Sequence, residues 1–395
     1  MSRTVLIVIS EAWFAASHFR PLIKTVVTEA DRVVIASRFD AQDPRQTDFI
    51  AELDREGIEQ YPFDVGRGRL GVRHQLSAVA ALRAVVATVR PDVVHVIGQH
   101  LIVVVGLAFA VPARRPALVL HLTGRGILAT AVGARFAGMR LALRTAITRS
   151  VKRGATLLVE NSDDAVDTAG RRPDGSSITL VPGAGVNPDI FKPKHACPPQ
   201  ERDQETRPLR VTYMGRMLTF KGLGVLEEAA RLLRHQNADV AITCYGAPDD
   251  NPNAVPAEDL ARWASAPSAN RDANFVWHGP TTDAPQVWRE TDIAVFPTLG
   301  GEGVPRSLLE AAATGVSIIA SNVPGCRDVI DDGQTGLLVE PNDARQLADA
   351  IACLADDQGL RARLGHAARK RVLERYSEAR VRDAYSHVYR RLLRD

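Results

Sequence analysis

Cysteine is scarce in these 395 residues: Cys197, Cys244, Cys326 and Cys353 stand far apart, with no C-x-x-C pair and no histidine at zinc spacing. That pattern argues against a disulfide framework or structural zinc and suits a reducing compartment. Charge of one sign is lacking too. With 49 basic and 46 acidic residues the formal balance is +3, too even for a general nucleic-acid surface, so no nucleic-acid partner is expected. Long hydrophobic runs are missing as well. The most apolar stretch, Leu101 to Val111, is about half the length that spans a bilayer. The short run Val5–Ile9 has one arginine ahead of it and no small-residue cleavage site after it, so it reads as a first strand rather than a leader. The expected location is the cytoplasm. There is also no Asp-x-Asp, the pattern expected where a divalent ion holds phosphates, and no metal cofactor is expected.

Present instead is an alternation of short β-branched runs with longer helical patterns, in a chain long enough for two domains. Thr4–Ile9, Val33–Ala36, Val93–Ile97, Leu118–Leu122, Thr156–Val159 and Ile178–Val181 read as strands of a parallel sheet. The rhythm breaks at Val181-Pro-Gly-Ala-Gly-Val-Asn-Pro188 and the proline-rich segment after it. It restarts with Leu209–Met214, Val240–Tyr245, Asn274–Val276, Ile293–Pro297, Val316–Ala320 and Leu337–Val339. The expectation is an α/β protein: a Rossmann-like domain over 1–185, a linker over 186–208, a second over 209–375, and a helix over 376–395 that returns to the N-terminal domain. In open parallel sheets ligands bind beyond the carboxyl ends of the strands, so the expected site lies in a cleft between two facing domains.

The most informative stretch is Phe296-Pro-Thr-Leu-Gly-Gly-Glu302-Gly-Val-Pro-Arg-Ser-Leu-Leu-Glu310-Ala-Ala-Ala-Thr-Gly315, where a strand gives way to a helix. Its glycines let backbone N–H groups approach an anion at a helix start. With Glu302 in the loop and Glu310 near the second turn, two carboxylates can accept from the hydroxyls of one sugar or ribose. The blander alternative makes Glu302 a helix cap and Glu310 an ordinary helix residue. A second element, Tyr213-Met-Gly215-Arg216-Met-Leu-Thr-Phe-Lys221-Gly222, weighs against that, because a forked guanidinium and a compact ammonium between glycines suit a diphosphate. Gly66-Arg-Gly68-Arg-Leu-Gly71 matches G-x-G-x-x-G, but it follows no strand and has no acidic residue about twenty positions later. It reads as a basic loop rather than a dinucleotide fingerprint.

Together these residues resemble the family-4 retaining glycosyltransferases of the GT-B fold. The resemblance extends to Asn322-Val-Pro-Gly-Cys-Arg327-Asp-Val-Ile, Asp332-Gly-Gln-Thr-Gly336-Leu-Leu-Val, Leu364-Gly-His-Ala-Ala-Arg369 and Arg375-Tyr-Ser377. It implies two Rossmann-like doubly wound domains facing across a cleft. Arg216 and Lys221 would hold the donor diphosphate, with Gly215 beside them; Glu302 would meet the transferred sugar and Glu310 the ribose, with backbone contacts from Gly303 and Val304. It further implies a nucleotide-sugar donor, UDP-linked, and front-face transfer without a side-chain nucleophile. The N-terminal half departs from the family pattern: Glu11-Ala-Trp-Phe-Ala-Ala-Ser17-His18-Phe-Arg20 stands where a glycine-rich loop is usual. Leu120-His121-Leu-Thr123-Gly124-Arg-Gly126 stands where relatives place a histidine, so either His121 or Thr123 takes that place. Ser17-His18 and Thr123-Gly124 most resemble the subgroup that extends polyprenyl-diphosphate-linked N-acetylhexosamines, which makes them expected acceptor contacts. The expected reaction moves a hexose or N-acetylhexosamine to a glycan or polyprenyl-diphosphate-linked acceptor in surface polysaccharide or glycoconjugate synthesis. A nucleotide-sugar 2-epimerase and a non-enzymatic nucleotide-sugar sensor are the competing readings.

One more segment, 134–153, carries Phe136, Met139, Leu143, Ile147 and Val151 on one helical stripe bordered by Arg140 and Arg144, with no acidic residue. Such a helix either lies on anionic lipid, as peripheral contact with the inner face of the plasma membrane, or packs its stripe on the N-terminal sheet.

Overall fold

The computed structural model describes residues 3–65, 72–109, 116–193, 208–249, 253–264 and 275–394. The chain divides into two units: Met1–Gly185 together with Glu378–Asp395, and Val186–Ser377. The glycine-rich 66–71 segment, Cys197 and most of the proline-rich linker lie outside the described residues.

The first unit holds strands β1 (Thr4–Glu11), β2 (Arg32–Arg38), β3 (Glu59–Pro62), β4 (Val93–Ile97), β5 (Ala117–Leu122), β6 (Thr156–Val159) and β7 (Ile178–Leu180). They form one parallel sheet in the order β3-β2-β1-β4-β5-β6-β7. Strands such as Val-Val-His-Val-Ile of β4 are buried throughout, as a sheet covered on both faces requires. Side chains alternate between two cores. Leu6, Val8, Val94, Val96 and Leu120 enter one, while Val5, Ile7, Ile9, Val93 and Val119 enter the other. The second core is closed by the helix Arg20–Glu29 and by Glu378–Arg394, whose Val381, Tyr385, Val388 and Tyr389 recur at helical spacing.

The second unit holds β8 (Leu209–Met214), β9 (Val240–Tyr245), β10 (Phe275–Trp277), β11 (Ile293–Phe296), β12 (Ser317–Ser321) and β13 (Leu337–Val339), again parallel, in the order β10-β9-β8-β11-β12-β13. In each sheet the order reverses beside the first strand, and that switch point is where an open α/β sheet receives ligands. For the second unit it falls between β8 and β11.

The helix Ala134–Lys152 settles one of the open alternatives. Leu143 and Ile147 are in the core, and Phe136, Met139 and Val151 pack against it. The stripe meets the helix Gln99–Ala108 so closely that a Cβ on Gly106 would come within 2.8 Å of the Ala146 Cβ. The apolar stripe is therefore unavailable to lipid. The opposite face carries Leu141, 65% exposed, with Val132 just ahead of the helix at 89%. Among the described residues, no helix is long and apolar enough to cross a membrane.

Candidate active site

The site in the second unit is built where β8 and β11 end. After Met214 the chain turns through Gly215, whose N–H donates to the Tyr245 carbonyl at 3.0 Å, and enters a single 3-10 turn, Thr219–Lys221. Gly222 then starts the helix Leu223–His235 with φ +77°, and a Cβ there would stand 1.9 Å from the Pro297 carbonyl oxygen. Only glycine satisfies both constraints. That close approach brings the loop after β8 against the loop after β11, where Leu299 N–H donates to the Phe220 carbonyl at 2.8 Å.

Lys221 and Glu302 meet across this junction. The ammonium lies 2.5 Å from Glu302 Oε1, and the Thr298 hydroxyl donates to the same oxygen at 3.2 Å. Both side chains are largely covered, at 18% and 13% exposure, so their attraction is screened less than that of a surface pair. The recess lined by Tyr213, Met214, Lys221, Phe296, Thr298 and Glu302 has a volume of only 10 Å³, about the room of one water. A ligand reaching these groups must part them. Arg216 is more open and lies 3.3 Å from Asp249.

Beyond Glu302, Gly303 is held under the loop that follows β12. A Cβ at Gly325, where φ is +84°, would come within 1.6 Å of the Gly303 oxygen. Val304 is buried and Pro305 caps the helix Arg306–Thr314. Glu310, in that helix's second turn, is 6% exposed. Its carboxylate takes Arg306 Nε at 2.8 Å and faces the Trp288 indole N–H at 3.5 Å. Burial pushes the Glu310 carboxyl above its ordinary range, and the charge of Arg306 opposes that shift. Gly215, Arg216, Lys221, Glu302, Gly303, Val304 and Glu310 thus all sit in one unit around one switch point.

In the first unit the expected acceptor contacts lie in the segments that follow β1 and β5. Ser17 and His18 close the helix Ala12–His18 after β1; Ser17 Oγ lies 2.6 Å from His18 Nδ1, and His18 packs on Phe14 with ring centroids 4.5 Å apart. Half-buried Thr123 and buried Gly124, φ +98°, follow β5. Arg125 fixes their loop through Asp164 and Asp167, each at 2.7 Å.

His121 requires a correction. As a β5 residue on the face turned to the second core it is 0% exposed, enclosed by Phe19, His95 and Tyr385. Neither ring nitrogen has a hydrogen-bond partner, and Glu160 Oε1 is 3.8 Å away. In this arrangement the imidazole is an interior group without access to a substrate, whereas Thr123, two residues on, reaches the surface. Alternation along a continuous strand would put both residues on one face, but the strand ends at Leu122, so the alternation stops before Thr123.

Sequence reading missed Asp249, Thr298, Arg306 and Trp288. Arg306 had a usable signal, standing four residues before Glu310 on a helix. Asp249 and Trp288 arrive through long-range folding and had none.

Residues 208–357 match the family described as Glycosyl transferases group 1. A D-inositol 3-phosphate glycosyltransferase of Arthrobacter sp. strain FB24 is 32% identical over 225 residues, 54% of this chain and 51% of that one. The chain spans about half the length of several such curated relatives. The N,N'-diacetylbacillosaminyl-diphospho-undecaprenol alpha-1,3-N-acetylgalactosaminyltransferase of Campylobacter jejuni is 23% identical over 394 residues, 98% of both chains. The crystal structure of Anabaena HepE in complex with UDP superposes with a TM-score of 0.73 at 18% identity, covering 98% of this chain and 100% of that one. Residues 208–357, which carry the charged residues gathered at one switch point, are thus similar to the group 1 glycosyltransferases, and the two parallel-sheet units share the GT-B fold of the Anabaena structure.

Proposed function

We propose that the chain is a retaining, metal-independent glycosyltransferase that moves a hexose or N-acetylhexosamine from a UDP-linked donor to a glycan or polyprenyl-diphosphate-linked acceptor. The observation that carries this is the cluster of Lys221, Glu302 and Glu310 around the β8–β11 switch point, with Arg216 at its open edge. Arg216 and Lys221 neutralise the diphosphate as its bond to the sugar breaks, and Glu310 accepts from the ribose hydroxyls. Glu302, released from Lys221, accepts from the sugar. The acceptor hydroxyl attacks the anomeric carbon on the face the diphosphate leaves, the departing phosphate takes both the bonding electron pair and the hydroxyl proton, and no side-chain nucleophile is formed. The UDP in the Anabaena neighbour supports the donor, and the whole-length Campylobacter relative supports the lipid-linked acceptor.

Incubation with a panel of radiolabelled nucleotide sugars and membrane extract tests the reading. Label should pass to a lipid-extractable or polymeric product from a UDP-sugar, with activity unchanged in EDTA and an anomeric configuration by NMR that matches the donor's. Activity lost in EDTA and restored by manganese overturns metal independence, an inverted linkage overturns retention, and a free isomerised sugar points to an epimerase.

A lipid-linked acceptor places the enzyme at the inner face of the plasma membrane, and the surface for that contact is the outward side of Ala134–Lys152. There Val132 and Leu141 are exposed beside Arg144, Arg149 and Lys152. Each basic residue near anionic lipid contributes about 1 kcal/mol. Flotation with anionic liposomes should recover the protein, and changing Arg144, Arg149 and Lys152 to Glu should abolish recovery. Equal recovery with neutral vesicles removes this contact from the proposal.

A further inference from the structure

Arg306 stands in an electrostatically poor place for a helix residue. It is the first residue of Arg306–Thr314, where the backbone dipole favours an anion, and it precedes its glutamate, the less favourable order for a pair four residues apart. Helix stability does not account for it. What it does is hold one oxygen of a buried carboxylate at 2.8 Å, while Trp288, wholly buried on the helix Ala284–Glu290, presents its N–H to the other oxygen at 3.5 Å. Held from both sides, Glu310 has its plane fixed and keeps the remaining lone pairs of each oxygen for a ligand.

Burial disfavours the ionised form of Glu310, and the guanidinium counters that. The ionised form is the useful one, since a protonated carboxyl turns one oxygen into a donor and accepts hydroxyl hydrogens more weakly. Other charges near the helix are engaged elsewhere: Arg369 donates to the Ala313 and Phe191 carbonyls, and Glu290 pairs with Arg210.

We propose that Arg306, with Trp288, is a positioning residue that orients the Glu310 carboxylate as a two-hydroxyl acceptor, so that the site selects a ribonucleotide donor over its 2'-deoxy counterpart. This rests on the donor reading above, with Glu310 at the ribose.

Calorimetric titration of UDP and 2'-deoxy-UDP tests it, using the wild-type chain, Arg306→Met and Arg306→Lys. The wild type should bind UDP at least about tenfold more tightly than the deoxy analogue, the worth of one lost hydrogen bond to a charged group. Arg306→Met should weaken UDP about tenfold, leave deoxy-UDP little changed and bring the ratio close to one. Arg306→Lys keeps the charge and should restore most of the discrimination. Arg306 is 35% exposed, so the Met variant should fold, and its melting temperature is recorded beside the titration. If Arg306→Met retains the wild-type ratio, or loses affinity for both nucleotides equally, the positioning role is overturned while the donor site stands. If the wild type binds neither nucleotide, the donor reading itself falls and this inference with it.

Discussion

Replacing Lys221 or Glu310 with alanine is expected to remove most transfer activity while leaving the fold intact. On the proposed function each variant deletes a charge-assisted contact to the donor, and such contacts are worth about 2–3 kcal/mol, a loss of roughly 30- to 150-fold. The two variants should differ in character. With Lys221 at the diphosphate, as proposed, where negative charge grows as the sugar departs, Lys221→Ala should lower kcat as well as kcat/KM. With Glu310 at the ribose, as proposed, a part of the donor that does not react, Glu310→Ala should act mainly through KM. In Lys221→Ala, Glu302 still receives the Thr298 hydroxyl, and the surrounding sheet does not depend on the lysine. Circular dichroism and melting curves should match the wild type. Near-normal turnover in both variants sinks the donor-site assignment.

The second large effect is expected from pH. His121 is held neutral by burial, its pKa brought down to about 3, and burial together with the neighbouring His121 ring drives His95 the same way. In the unfolded chain these side chains titrate near 6.5. Their folded values lie below the unfolded ones, so the unfolded state binds protons first. Stability is fully present above about pH 6.5 and is lost as pH falls toward the folded values. At about 1.4 kcal/mol per pH unit, His121 alone should cost the first unit about 2 kcal/mol by pH 5, before ordinary carboxylates begin to titrate. Urea midpoints between pH 7.5 and 5 measure this, and His121→Phe, with a ring of similar shape beside Phe19 and Tyr385, should flatten the slope. A midpoint that does not move over that range contradicts the account.

Both effects lie in parts of the molecule that the sequence reveals to different degrees. Buried parallel strands announce themselves as β-branched runs, and Val93–Ile97, Thr156–Val159, Leu209–Met214, Val240–Tyr245 and Leu337–Val339 stand where those runs are. β3 was missed because it is an edge strand: Glu59-Gln-Tyr-Pro62 is half-exposed and polar, and it ends in a proline that only an edge tolerates. The two loops that meet at the β8–β11 switch point were legible because glycine spacing and charge are local properties of short segments. His121 was not, since exposure depends on which helices later cover the strand. The stripe on Ala134–Lys152 has the same pattern whether it meets lipid or the helix Gln99–Ala108, and only the fold chooses between them.

The helix Glu378–Arg394 has a consequence for biosynthesis. It supplies Val381, Tyr385, Val388 and Tyr389 to the core beneath β1, β4 and β5, and Tyr389 closes a 2.6 Å hydrogen bond to His95, 294 positions earlier. A ribosome makes all of Val186–Ser377 before that helix appears. The first unit, although synthesised first, therefore waits with part of one face of its sheet uncovered until the second unit has been made, reversing the usual N-to-C order in which domains close during translation. A nascent chain stalled shortly before Glu378 leaves exposed the apolar part of the sheet that Glu378–Arg394 covers, the kind of surface on which chaperones dwell and from which aggregation starts.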